Sequence, residues 1–177
     1  MPPVIAGFVG VVTAVNRAAF YFAILLIYLI APVMLIDVVM RYAFNAPTVW
    51  GMELAVLLFG PYFLLAGPHV LHLKGHVAMD LVRQRLSLKA DRLVELVNLP
   101  IIIAFCGILI WFSAPAAIDS FNYGETSFSA WNPPIWWTKA AVPLSLVLML
   151  LQALAEFLRV LFRAPGTAGQ HPEEAAL

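Results

Sequence analysis

Three histidines, His69, His72 and His76, are the residues of this chain whose type and spacing most readily suggest chemistry. Separations of three and four positions place them on one face of a helix. Imidazole is a common ligand of zinc and of haem iron. A metal or haem site is therefore the first interpretation of these three histidines.

A haem held between helices generally takes one histidine from each of two helices. The other apolar segments of this chain contain no histidine, and no cysteine or acidic set completes a metal site. We therefore interpret the three histidines as polar residues near a membrane surface and expect no catalytic residue, no metal and no cofactor. A haem- or quinone-binding anchor subunit of a redox complex is the alternative function.

The stretch "KGHVAMD" places Lys74, His76 and Asp80 within seven positions, between two long apolar runs. It contains no nucleophile, so we interpret it as a solvent-exposed turn at the membrane surface. Asp80 precedes "LVRQRL", and a short in-plane helix over about 76–86 would hold these arginines near lipid headgroups.

A third polar group lies in "DVVMRYAFNAPTVWGMEL". Asp37 and Arg41 are four positions apart and can pair on a helix. Asn45 to Pro47 should end that helix, because proline lacks an N–H and restricts the residue before it. Glu53 should open the next helix, whose positive end favours a carboxylate. Arg41 and Glu53 either mark the interface and cap helices, or bind a neighbouring subunit or each other across the turn.

Four long uncharged runs position these groups. The chain has 177 residues, is 63% hydrophobic and has a mean hydropathy of +0.91, whereas soluble domains are about 45–50% apolar. About 20 apolar residues cross a hydrocarbon layer about 30 Å thick, and lipid offers the backbone no hydrogen-bond partner. We predict an all-α integral membrane protein with four transmembrane helices, over about residues 18–40, 52–73, 94–117 and 135–158.

The remaining segments complete a single domain over residues 1–164. The first span is too long for a signal-peptide core and has no cleavage pattern after it, so we expect it to be uncleaved. Residues 1–16 are expected to form a short lead-in helix at the surface. Residues 165–177, polar and rich in proline and glycine, are expected to be a disordered cytoplasmic tail.

The distribution of basic residues predicts the orientation. Segment 74–92 contains five Lys or Arg residues, whereas segments 41–53 and 119–139 contain one each. Short loops rich in Lys and Arg stay in the cytoplasm, so we expect both termini and the middle loop inside, in a bacterial inner membrane. Four tryptophans on the opposite side predict an aromatic belt there: Trp50, Trp131, Trp136 and Trp137.

The chain lacks two sequence features that are typical of transporters that move a solute by themselves. No ionisable residue falls in the middle of a predicted span, and no internal inverted repeat is evident. Lys+Arg and Asp+Glu both number 10, so there is no basic excess to bind nucleic acid. We expect a chain that supports a partner in the lipid bilayer.

Two segments resemble a known family, the small membrane subunit (DctQ type) of tripartite ATP-independent periplasmic (TRAP) transporters. They are "RYAFNAPTVWGMEL" (41–54) and "KGHVAMDLV" (74–82), and "IWWTKAAVPLSLVLMLL" (135–151) resembles the start of the family's last span. The resemblance implies that seven residues hold turns or subunit contacts: Asp37, Arg41, Asn45, Trp50, Glu53, His76 and Asp80.

The resemblance also implies two protein partners. A periplasmic solute-binding protein would deliver an organic acid, and a large multi-span subunit would carry it inward with sodium. The present chain would pack against that large subunit as a scaffold. A self-sufficient small carrier is a further hypothesis, which solute uptake by this chain alone would favour.

Overall fold

The structure is a computed structural model that describes residues 3–73 and 88–162. Four helices make up most of these residues: α1 (Pro3–Ala43), α2 (Gly51–His72), α3 (Leu88–Asn122) and α4 (Trp136–Phe162). Each is long and apolar enough to cross a membrane. The predicted all-α fold with four membrane-crossing helices is confirmed.

Helix α1 is longer than expected. The sequence suggested a separate lead-in helix over residues 1–16, but residues 3–16 are the first part of one continuous helix of 41 residues. The junction "VVTAVNRAAF" contains neither proline nor glycine, so nothing there ends the helix. At 1.5 Å per residue, α1 is about 60 Å long, twice the thickness of a hydrocarbon layer.

Several expectations fall outside the described residues. The possible in-plane helix over 76–86, with His76 and Asp80, lies in the segment between α2 and α3. The tail expected over residues 165–177 lies beyond α4.

Close packing holds α1, α2 and α4 against one another, and α3 packs mainly along α4. The alanines at the contacts, Ala55, Ala153 and Ala155, are at most 1% exposed. Small side chains let helix backbones approach closely, which is how helices associate in lipid. Larger residues complete the contacts: Val9, Val12, Leu26, Ile30, Leu58, Leu71, Leu99 and Val160.

The two ends of the bundle differ. The α1–α2 and α3–α4 connections lie together, because Ser129 Oγ of the second connection donates to Glu53 Oε2 at the start of α2 at 2.6 Å. We name this the loop end. The start of α1 meets the end of α4 at the other end, where Asn16 contacts Gln152, and we name that the termini end. Each end carries a polar cluster.

Candidate functional site

The loop-end cluster, Asp37, Arg41, Thr48 and Gly51, joins α1 to α2. Arg41 Nη2 donates to Asp37 Oδ2 at 2.9 Å, which is the pair expected from their spacing. The other carboxylate oxygen accepts from both the N–H and the hydroxyl of Thr48. Asp37 is 5% exposed, and these donors compensate its burial. Its carboxylate therefore fixes the chain that leaves α1.

The turn between α1 and α2 depends on two special backbone positions. Asn45 adopts φ +51°, in the left-handed region, where asparagine is tolerated better than most residues. Ala46 N–H donates to Met40 O at 3.0 Å and closes the end of α1. A Cβ at Gly51 would lie 2.5 Å from Thr48 Oγ1 and 3.1 Å from Asp37 Cβ, so the close approach of α2 to Asp37 requires glycine.

Glu53 and Trp50 lie at the start of α2. Trp50 occupies the N-cap position and is 38% exposed, without a side-chain capping hydrogen bond. Glu53 lies in the first turn and accepts the hydrogen bond from Ser129. Arg41 bonds Asp37, so the structure gives Arg41 and Glu53 different partners instead of pairing them across the turn.

The α3–α4 loop (residues 123–135) is internally hydrogen-bonded. Ser127 N–H donates to Pro133 O, and Ile135 N–H donates to Glu125 O, each at 3.0 Å. Lys139 Nζ donates to Glu125 Oε2 at 2.5 Å. This ammonium group holds the pKa of the Glu125 carboxyl below its ordinary range. The loop is therefore a folded unit anchored to α4.

The termini-end cluster, Asn16, His72, Gln152, Glu156 and Arg159, connects α1, α2 and α4. Glu156 Oε1 lies 2.7 Å from His72 Nδ1 and 3.0 Å from both Gln152 Nε2 and Arg159 Nη1. Gln152 and Arg159 donate to Glu156, and His72 Nδ1 donates to it in the tautomer that carries the proton on that nitrogen. One carboxylate oxygen thus contacts three side-chain nitrogen atoms from two helices.

An amide pair continues this cluster into the bundle. Asn16 Nδ2 donates to Gln152 Oε1 at 2.7 Å, and the two residues are 1% and 0% exposed. Arg159 Nη2 also reaches Thr13 Oγ1 of α1 at 3.4 Å. The polar side chains of the cluster therefore hold the three helices at a fixed register.

The histidines have separate structural roles. His72 belongs to the termini-end cluster, whereas His69 is 8% exposed and its ring centroid lies 4.6 Å from that of Phe20. Within residues 3–73 and 88–162, no group of three or more His, Cys, Asp or Glu residues could hold a metal ion.

Most of the termini-end cluster was not predicted from the sequence. The sequence did not predict that α4 brings Glu156 to His72. A signal was available: Gln152, Glu156 and Arg159 are spaced four and three positions apart in a mostly apolar segment. Thr48 and Gly51 were also missed, although both lie inside the turn that was singled out.

The two clusters are separated by about one hydrocarbon thickness. Along α1, Asn16 and Asp37 are about 32 Å apart at 1.5 Å per residue, and the hydrocarbon layer is about 30 Å thick. Leu26 and Ile30 lie between them in the apolar core. The arrangement braces the helices at both edges of an apolar layer.

One comparison with known proteins gives a match. A protein-family model described as "DctQ: Tripartite ATP-independent periplasmic transporters, DctQ component" matches residues 30–163. No curated protein matches significantly. The matched range begins within α1 and ends just after α4, so it contains the whole loop-end cluster and the termini-end cluster apart from Asn16.

Proposed function

This chain belongs to the DctQ family, the DctQ component of tripartite ATP-independent periplasmic transporters, and we propose that it is the scaffold that packs against the large membrane subunit. It is a membrane transport component and not an enzyme. The transport that it supports is sodium-coupled uptake of an organic acid, which a periplasmic binding protein delivers.

The family match carries this proposal. It extends over residues 30–163 and so includes α2, α3, α4 and the last third of α1. A match of that extent concerns the helical bundle as a whole and not a single motif.

The internal contacts support a bracing role. Three polar side chains that are buried or partly buried in the bundle bind other side chains of this same chain: Asp37, Glu156 and Gln152. Groups engaged in this way hold helices together and are not available to coordinate a solute. The large subunit would therefore supply the transport path.

The outer faces of the helices support association within the membrane. Trp111 and Phe112 of α3 are 77% and 71% exposed, and Tyr28 of α1 is 73% exposed. Such faces suit lipid or another membrane protein, since helices associate in lipid by close packing of apolar surfaces.

The proposed orientation places the loop end in the periplasm and both termini in the cytoplasm of a bacterial inner membrane. It rests on the five basic residues of segment 74–92. A cysteine at Ser127 should react with a membrane-impermeant maleimide in intact spheroplasts, whereas a cysteine at Ser87 should react only after lysis. Cys106 is fully buried and would give a low background. The reverse labelling pattern would contradict the orientation.

Reconstitution tests the function. Proteoliposomes containing this chain and the large subunit should accumulate an organic acid when the binding protein and an inward sodium gradient are supplied. Vesicles lacking this chain should not. The two membrane chains should also co-purify in mild detergent. Uptake by this chain alone would contradict the scaffold role and favour a self-sufficient carrier.

A further inference from the structure

The tip of the α3–α4 loop presents an aromatic ring to its surroundings. Phe128 is 87% exposed and adopts φ +53°. A bulky residue in the left-handed region is strained, and such strain persists only where the surrounding structure imposes it. Strain of this kind concentrates at functional sites.

Hydrogen bonds hold in place the backbone that carries the ring. Phe128 N–H donates to Asn132 Oδ1 at 3.0 Å, and Asn132 N–H donates to Ser129 Oγ at 2.9 Å. Ser129 in turn donates to Glu53 of α2. The tip is therefore tied to the helical bundle, and the loop backbone has little conformational freedom left to lose on binding.

The surroundings of the ring are acidic. The loop end carries four carboxylates and two basic side chains: Asp37, Glu53, Asp119, Glu125, Arg41 and Lys139. Arg41 pairs with Asp37, and Lys139 pairs with Glu125. Among the residues that the structure describes, Glu53 and Asp119 have no basic partner, so this end presents net negative charge beside an exposed ring.

We propose that the loop tip, Phe128 with Trp131 beside it, docks into an apolar recess with a basic rim on the solute-binding protein. Trp131 is 40% exposed and adds a second ring to the contact. Aromatic residues that enter pockets dominate the binding energy of protein interfaces, and complementary charge speeds the encounter. This inference rests on the proposed function.

Two observations favour a soluble protein over lipid. Anionic headgroups attract basic segments, whereas this end has an excess of carboxylates. Tryptophan and tyrosine are the rings enriched at the headgroup level; Trp131 fits the aromatic belt expected from the sequence, whereas Phe128, the more exposed ring of the tip, does not. A membrane partner would contact the sides of the helices, so the loop end is left for a partner in the aqueous phase.

The test uses the complex of this chain with the large subunit in nanodiscs and the purified solute-binding protein as the probe. Phe128→Asn removes the ring but keeps a residue that tolerates positive φ. Phe128→Gly removes both the ring and the strain. Both variants should raise the Kd for the binding protein about tenfold or more, within the range seen for an interface anchor. Added KCl should also raise the wild-type Kd, because salt screens complementary charges.

Phe63→Ala is the matched control, because it removes an equally large ring, 66% exposed, from the side of α2 and should leave the Kd unchanged. A stable complex whose Phe128 variants bind like wild type would overturn this inference alone. So would variants that change only the dependence on nanodisc lipid, which would assign the ring to the headgroups. Failure of the two membrane chains to form a complex would overturn the proposed function as well.

Discussion

At the residue scale, Glu156 organises its neighbours through one oxygen. Side-chain nitrogen atoms of His72, Gln152 and Arg159 all lie within hydrogen-bond distance of Oε1, and Arg159 Nη1 also lies 3.3 Å from His72 Nδ1. Charge-assisted hydrogen bonds are roughly twice as strong as neutral ones. With its side chain 14% exposed, the carboxylate is shielded enough for these bonds to matter, and it links α2 to α4.

Gly51 gives a prediction at a single position. Gly51→Ala should destabilise the protein by roughly 1–3 kcal/mol, the usual cost of overpacking, because its Cβ would displace Thr48 from Asp37. Gly67→Ala in the same helix is the control, since nothing lies within 4 Å of its Cβ, and alanine favours helix by about 1 kcal/mol. Thermal unfolding in detergent measures both. Equal effects of the two substitutions would contradict the role of Gly51.

The ion pair of Glu125 and Lys139 predicts a dependence on pH. The pKa of Glu125 is lower in the folded protein than its ordinary value of 4.5, chiefly because Lys139 donates to it. The stabilisation is therefore complete above the ordinary pKa and is lost as the pH falls through the lower folded value. Wild type should have a higher Tm than Glu125→Gln at pH 7, and the difference should shrink at pH 3. A difference that grew on acidification would disprove the assignment.

At the scale of elements, polar contacts determine how the apolar helices pair. The amide pair of Asn16 and Gln152 joins α1 to α4 near the termini end, and Asp37 joins α1 to the α1–α2 turn at the loop end. Helix α1 is thus held at two levels about 32 Å apart. Sliding α1 along its neighbours would break both contacts, so its register is defined.

The amide pair predicts a coupling between α1 and α4. Asn16→Leu or Gln152→Leu alone should destabilise the fold, because each leaves a buried amide without its partner. The double variant should lose less than the sum of the single variants, with a coupling of about 0.6–1.7 kcal/mol, as for other hydrogen bonds between membrane helices. A double-mutant cycle of unfolding free energies in detergent measures it. Strict additivity would indicate that the two amides do not interact.

At the scale of the whole molecule, the bundle matches one bilayer between its two polar clusters. The apolar core around Leu26, Ile30 and Leu58 lies between them. We expect lipid to cover this layer and the loop end and the termini end to meet the aqueous phase. The first turns of α1 lie beside the termini-end cluster, since Val9 and Val12 pack on Ala155 of α4.

This layering predicts a dependence on bilayer thickness. Stability should be greatest in lipid whose hydrocarbon layer is about 30 Å thick and should fall in thinner or thicker bilayers, by fractions of a kcal/mol per Å of mismatch. Thermal unfolding in a series of vesicles of increasing acyl length measures it. A monotonic trend across the series would contradict the assignment of the clusters to the two membrane edges.

The sequence by itself determined the four membrane-crossing helices, because lipid excludes charges and unpaired backbone groups from the middle of a span. It also determined the pair of Asp37 and Arg41, whose geometry is internal to one helix. These features depend on residues close together in the chain, so local patterns suffice.

Only the tertiary structure decided which residues meet between helices. His72 meets Glu156 across 84 positions, and Asn16 meets Gln152 across 136. In a soluble protein, apolar periodicity identifies the buried face of each helix. In lipid both the inner and the outer faces are apolar, so the pattern does not reveal how each helix is rotated. Packing alone brought these polar side chains together.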